Sequence, residues 1–512
     1  MNKRLRILAA LPLLAMMGAP QEPVDEEVVT RIKEQAFQHS QALDTLSYLA
    51  DVYGPRLTGT PAYLKAAEWA KTRLESWGLD NVHFDDYRDD LRGWEMESFA
   101  VEMTAPRYMN LTAFPDAWTS GTDGEVTGEP LVVDYESWGA LQALAGQLEG
   151  RILLSPVERS IGARREGVFT SEELAHADSH TSPENDDNLD NAATGPEPNE
   201  RERGGPDAQT RQQFLIDQGV AAVIRGSNKT PGVLDSNQQR FNRRGDIKPV
   251  PHFVVSKEQH GRMLRMLERG AAITLKLHLN VRFYTDPAYH QNIIAEIPGT
   301  DLADELVLVG GHFDSYHSGT GAADNGAGSA TTMEVMRILK TLGVQPRRTI
   351  RLVLWGSEEQ GHLGSRGYIA RYVADPETGA DLGELNRISV YFNHDNNGHD
   401  IRGIHGQGNE AIRPIFRRYL EPFNVMGAAT ASVENAGGTD HLGFDAVNIP
   451  GFEWIQDSMQ YHTTQIHTNM DVVDYVQESS LKRNAAIIAT FVYHAAMRDE
   501  MMPRKVPGTD RH

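Results

Sequence analysis

Apolar positions fall into dense short runs whose texture changes along the chain. Between 286 and 500 the runs are nearly unbroken: LVLVG (306–310), TIRLVLW (349–355), RISVYFN (387–393) and IPGFEWI (449–455). Runs without polar alternation predict strands covered on both faces. Between them, Val335, Ile338, Leu339 and Leu342 keep the spacing of one helical face. Strand, loop and helix in repetition predict an α/β fold, a mostly parallel mixed sheet with helices on both faces. Nearer the start, AYLKAAEWAKTRLESWGL puts Ala66, Ala70, Leu74 and Trp77 on one helical face and stops at Gly78. The middle of the chain differs. GRILLS (150–155), VAAVIRG (220–226) and PHFVVS (251–256) predict short strands, followed by a helix over EQHGRMLRMLERG and a strand over AITLKLHLNV. The expected organisation is one domain in two segments, 24–125 and 286–500, around a smaller inserted unit at 126–285, with 501–512 as a tail.

The first residues change the picture. Lys3, Arg4 and Arg6 precede an apolar run from Ile7 to Met17, the layout of a secretory signal peptide over 1–19 and too short for a spanning helix. No second long apolar run follows, so the mature chain is expected to be exported, periplasmic or secreted, without a membrane span. The 512 residues include no cysteine, which excludes disulfides, thiolate metal sites and cysteine catalysis. Any metal must be held by His, Asp and Glu. A formal charge of −22 argues against nucleic acid as a partner. Eleven acidic residues crowd residues 171–208, with two arginines and few apolar side chains, so a mobile loop is expected there, with His176 and His180 solvated.

In a sheet of this kind, ligands sit beyond the carboxyl ends of the strands. After LVLVG the chain delivers His312 and Asp314, and the loop GTGAADNGAGS then delivers Asp324. TIRLVLW delivers the adjacent pair Glu358 and Glu359. RISVYFN leads to Asp395, with His394, His399 and Asp400 as competitors, and after IPGFEWI come His462, His467 and Asp471. Imidazole and carboxylate in this number suit two zinc ions sharing a carboxylate, with one further carboxylate free to move a proton.

The ordered set resembles the co-catalytic zinc exopeptidases, the family of bacterial leucyl-type aminopeptidases and glutamate carboxypeptidases. The likeness is strongest toward the plasma glutamate carboxypeptidase (carboxypeptidase Q) branch. TGTPA, NIIAEIPGT and TDHLGF are similar to further family segments, and 126–285 resembles the protease-associated domain that many members insert. The resemblance implies two Zn2+ ions: one on His312 and Asp395, the other on Glu359 and His467, with Asp324 between them. It implies Asp314 as the carboxylate that orients His312, and Glu358 as general base toward a metal-bridging water. Asp440 and His441 of TDHLGF would line the substrate pocket. Members are often homodimers.

The expected function is an exported zinc exopeptidase, an aminopeptidase or dipeptidase acting on peptides. A glutamate carboxypeptidase would need cations for carboxylates. No dense arginine cluster stands beside the strand exits, although Arg56, Arg366 and Arg402 could serve. A single-zinc glutaminyl cyclase and a non-catalytic receptor-like homologue are the remaining alternatives. The inserted unit argues against the first, and the complete ligand set against the second.

Overall fold

The computed structural model describes residues 22–87, 91–156, 168–179, 206–245, 247–396 and 398–505. The expected signal peptide, His180 and most of the acidic stretch lie outside the described residues. Among those described, no helix is long and apolar enough to cross a membrane.

A six-stranded mixed sheet forms the centre. Its order is Asp80–Asp86, Gln291–Ile297, Arg348–Trp355, Leu302–His312, Ile388–Asn393 and Gly451–Phe452. The first two junctions are antiparallel and the remaining three parallel. Successive side chains of the strand Leu302–His312 serve opposite cores. Val307 and Val309 join Ala66, Ala70, Leu74, Ile487 and Phe491. Leu306 and Leu308 meet Trp355, Tyr368, Tyr391 and Phe444 on the other face.

The helix Pro61–Ser76 starts where Thr60 accepts the Tyr63 N–H and ends where Gly78 takes φ +78°. The helix Ala327–Leu342 is buried from Ala327 through Leu339. It is the crossover between the parallel strands Leu302–His312 and Arg348–Trp355. Its first turns are small residues, which lets the strand exits come close.

Two more sheets build the middle region. One has the order Ala113–Pro115, His252–Val255, Ala222–Gly226, Ile152–Leu154, Pro130–Val132. The other has Met109–Asn110, Gly93–Ala105, Thr274–Tyr284, Val126–Gly128. Both therefore take strands from before residue 126 as well as after it. Ile224, Phe253, Leu275 and Leu277 belong to the core they share.

Two elements depart from the expected pattern. Ser171–Ser179, expected as part of a loop, is a helix lying on the strand Thr430–Ser432. Ala177 is buried there, and Asp178 pairs with Arg417 and accepts the Ala431 N–H. A buried alanine and a matched charge offset the polarity of the segment. IPGFEWI is not one strand. Gly451–Phe452 edges the central sheet, whereas Trp454–Gln456 joins Ile401–His405 and Thr430–Ser432 in a separate three-stranded sheet. Glu453, between them, is carried toward the strand exits.

Candidate active site

The strand exits converge. Gly310 and Gly311, just before the end of the Leu302–His312 strand, are glycine because a Cβ would lie 1.7 Å from the Val353 carbonyl oxygen at the first and 2.3 Å from that of His394 at the second. The close approach brings His312 to the end of its neighbours. The His312 Nδ1 lies 3.0 Å from the Asp314 carbonyl oxygen, and the Asp314 carboxylate stands 3.5 Å from the same nitrogen. That carboxylate also accepts the Glu358 N–H at 3.1 Å, so Asp314 aligns two exits at once.

Asp324 sits in the turn before the crossover helix. Asp471 holds that turn by accepting the N–H groups of Ala323 and Asp324 at 2.5 and 3.2 Å. The Glu358–Glu359 pair follows Ser357, whose φ is +57° and whose hydroxyl bonds Thr58 and Tyr87 at 2.7 and 2.6 Å. The TGTPA segment thus braces the turn from which both glutamates emerge. Asp395 follows the strand Ile388–Asn393, and its N–H donates to Glu453 at 3.3 Å. His467 also has a left-handed backbone, φ +57°, and its ring stacks on Tyr316 at 3.7 Å between centroids.

Five of these side chains form two groups that share Asp324. His312 Nε2 lies 3.2 Å from Asp324 Oδ1 and 3.2 Å from Asp395 Oδ1. His467 Nε2 lies 3.1 Å from Glu359 Oε2 and 3.5 Å from Asp324 Oδ2. If Nδ1 of His312 donates to the Asp314 carbonyl, its Nε2 presents a lone pair to two carboxylate oxygens. Such a contact repels unless a proton or a cation lies between the atoms. Donors held at about 2.0–2.1 Å by a tetrahedral zinc ion stand about 3.3 Å apart, close to the spacings here. Ligand atoms of His312, Asp324 and Glu359 all lie within 4.8 Å of one another. The residues present therefore fit zinc in donor type and in spacing.

Electrostatics point the same way. Burial pushes the Glu359 carboxyl well up, and neighbouring Asp324 pushes it further. Burial would lower the His312 imidazole, yet Asp395, Asp314 and Asp324 raise it well above its ordinary value. Burial alone would raise Asp395, and His312 draws it below the usual carboxylate range instead. Burial lifts Asp471 to about 7, with Asp324 adding to it. So many buried carboxylates around so few imidazoles call for added positive charge. His467 is 34% exposed where the other four are at most 6%, so the site opens to solvent on its side.

Glu358 belongs to neither group. Burial pushes its carboxyl up to about 7, against the pull of His362, whose Nε2 lies 3.1 Å away. Asp440 and His441 are both buried. Asp440 accepts from the Ser365 hydroxyl, and burial with Glu358 nearby lifts it to about 8. His441 bonds Gln407 at 2.9 Å and the Ala436 carbonyl at 3.2 Å. Asp400 lies with Arg402, Arg483 and Ser480, away from Asp395, and the His462 carbonyl is held by Lys229. His399 is buried, and His317 is buried with its Nε2 on the Pro115 carbonyl.

The expectation that Arg56 could receive a substrate carboxylate does not hold. The guanidinium is fully buried and donates to the carbonyls of Leu49, Phe313, Thr320 and Gly321. Arg402 is likewise committed to Asp457 at 2.6 Å. Sequence reasoning missed His362, Glu453 and Tyr316. His362 carried a usable signal, its i+4 spacing from Glu358. Glu453 was hidden by reading its segment as one continuous strand.

Residues 292–492 match peptidase family M28, a span containing all five clustered side chains and Glu358. Mouse carboxypeptidase Q is 27% identical over 474 residues, 91% of this chain and 87% of that protein. Aminopeptidase YwaD of Bacillus subtilis is 26% identical over 55% of this chain and 58% of its own length. Among solved structures, a peptidase M28 precursor from Shewanella amazonensis superposes with a TM-score of 0.68 at 24% identity, over 94% of this chain and 99% of that one. A zinc aminopeptidase from Bacillus subtilis gives 0.57 at 19% identity, over 90% and 95%. At these identities the two structures speak for the fold alone. Residues 292–492 thus resemble peptidase family M28, and the chain that carries them is a metallo-exopeptidase with carboxypeptidase and aminopeptidase homologues.

Proposed function

We propose that the protein is an exported exopeptidase with two zinc ions, releasing residues from the ends of peptides or dipeptides. The observation that carries this reading is the pair of donor groups meeting at Asp324, one on each of its oxygens. His312 and Asp395 would hold one ion, Glu359 and His467 the other, with Asp324 between them. Bound there, zinc supplies Lewis acidity toward the scissile carbonyl and lowers the pKa of water.

The chain's own residues do the rest. Glu358, outside both donor groups, receives the proton of the attacking water and returns it to the leaving amine. His362 keeps its carboxylate turned to the cleft, and Asp314 fixes the peptide from which it projects. Asp440, stacked behind His362 and Glu358, supports the pocket wall with His441. The middle region is in our reading a protease-associated unit over the open side, and residues 1–19 direct export.

Aminopeptidase or dipeptidase action is favoured because two of the three candidate cations, Arg56 and Arg402, are committed elsewhere, which leaves Arg366. The extended match to carboxypeptidase Q supports carboxypeptidase action as a second reading. Peptides blocked at either end separate the two. If blocking the N-terminus leaves the rate intact while blocking the C-terminus abolishes it, the carboxypeptidase reading replaces the first. Glu358→Gln is expected to lower kcat by about 10²–10⁴-fold with zinc content unchanged. Turnover near wild type in that variant would end the assignment of the base.

A further inference from the structure

His467 is unlike the other proposed ligands. It comes from no strand of the central sheet, its backbone is in the left-handed region, and its side chain is the most exposed of the five. Non-glycine residues in that region persist where their surroundings hold them. The holding contacts come from the middle region.

Residues 234–236 lie against 467–469 like a short antiparallel clasp. The Ser236 N–H donates to the His467 carbonyl at 3.1 Å, and the Asn469 N–H to the Leu234 carbonyl at 3.2 Å. The Leu234 N–H donates to Asn469 Oδ1 at 2.7 Å, and Asp235 bridges Thr468. The Ser236 hydroxyl reaches Ser318, beside Tyr316 on which the His467 ring stacks. The ligand is gripped on its backbone and on its ring.

Behind the clasp stands a buried charge network. Arg225 is in Ala222–Gly226, the central strand of the five-stranded sheet. Its guanidinium donates to Asp235 Oδ2 at 3.0 Å, to the Asp235 carbonyl at 2.6 Å and to Asp116 Oδ1 at 3.1 Å. Asp116 also accepts the Asn237 N–H at 2.8 Å, and Asp235 the Asn228 N–H at 3.1 Å. All three charged residues are buried. One guanidinium therefore holds Asp235, at the middle of the clasp, directly and Asn237, just beyond it, through Asp116. Lysine, a point charge on a flexible stem, cannot span these acceptors together.

We infer that Arg225, with Asp116 and Asp235, is a positioning residue for His467, so that the five-stranded sheet sets the affinity of the zinc ion shared by Glu359 and His467. The middle region is then a working part of the metal centre as well as its cover. Through this clasp, anything that shifts the five-stranded sheet alters how firmly one ion is held while the other stays in place.

This rests on the two-ion reading, and the test separates the two. Zinc affinities of the full-length protein are measured by competition with a chromogenic chelator, alongside thermal melting. A wild type that takes up one zinc overturns the two-ion reading, and this inference with it, before any variant is compared. Given two, Arg225→Lys is expected to weaken one by about tenfold or more, the loss typical of groups that orient a metal ligand. The other ion is expected to stay within about twofold. Asn469→Ala opens the clasp from the opposite side without touching a buried charge, and is expected to weaken the same ion; it decides the matter should Arg225→Lys not fold. Arg348→Lys is the control. Arg348 is equally buried, bonded to Glu305 and the Arg498 carbonyl, and starts a central strand at the end away from the site. It is expected to lower the melting temperature with both affinities unchanged. If Arg225→Lys and Asn469→Ala keep both affinities within about twofold, or Arg348→Lys weakens the same ion as much, the network is ordinary scaffold and the inference is overturned.

Discussion

A buried carboxylate outside both donor groups needs something else to keep it aimed, and for Glu358 that partner is His362. The two sit four residues apart, at the start of the turn leading into the helix Leu363–Tyr368, with 3.1 Å between Nε2 and Oε1. His362 is itself fixed by the Gly438 carbonyl at 3.2 Å and by a left-handed backbone, φ +57°. Hydrogen bonds to charged groups contribute about 1.5–3 kcal/mol. His362→Gln, which keeps a donor in a less rigid form, is therefore expected to lower kcat about tenfold. KM and zinc content should move little, because His362 touches neither donor group. A steady-state comparison with zinc quantified on the same sample checks this, and a loss carried mainly by KM would place His362 in substrate binding instead.

At the scale of elements, backbone approach decides more than helix propensity. Gly328 opens the crossover helix, and a Cβ there would lie 2.2 Å from the His394 carbonyl oxygen and 2.3 Å from Asn325 Oδ1. In an exposed helix interior Gly→Ala gains about 1 kcal/mol. Here overpacking of about 1–3 kcal/mol opposes that gain and wins. Gly328→Ala is expected to lower the melting temperature, and to weaken zinc binding because Asn325 and His394 flank Asp324 and Asp395. A variant as stable as wild type would mean that the turn at 322–326 gives way more easily than its buried contacts suggest.

The same approach explains what was legible in the sequence. Unbroken apolar runs announced the central strands and, through their exits, His312, Asp324, Glu358, Glu359 and Asp395. Sheet physics ties those residues to fixed places on the chain. The split at Glu453 was not legible, because strand identity there depends on which neighbour each half meets. Nor was the Asp116–Arg225–Asp235 network, whose members lie 109 and 10 residues apart and carry no spacing rule. The helix Ser171–Ser179 was hidden for a related reason: a polar segment docks when its charges find partners, and Arg417 lies far along the chain.

For the molecule as a whole, two buried neutral histidines, one inside the five-stranded sheet and one where the middle region meets the central sheet, set a response to acid. His317 leaves the Leu302–His312 exit and donates through Nε2 to the Pro115 carbonyl at 2.8 Å, its ring edge-on to Trp94. His252 accepts from Gln212 at 2.8 Å within the five-stranded sheet. Burial lowers both imidazoles from 6.5 to about 4; for His317 the Pro115 bond and Asp116 oppose it, and for His252 Asp116 opposes it while the charge of Arg225 adds to it. In the unfolded chain both take up a proton near pH 6.5, so the unfolded state binds more protons between 6.5 and 4. Their stabilisation is therefore complete above about pH 6.5 and is lost as pH falls toward 4, by up to about 1.4 kcal/mol per pH unit for each ring and about 3 kcal/mol in all for each. Other groups titrate across this range too, so the test is a difference. Denaturant unfolding of wild type and His317→Gln should give curves whose gap narrows as pH drops from 7 to 4, because only the wild type loses the contribution of a neutral ring at that position. A gap of constant size would show that His317 titrates alike in the folded and unfolded chain, its ring open to water.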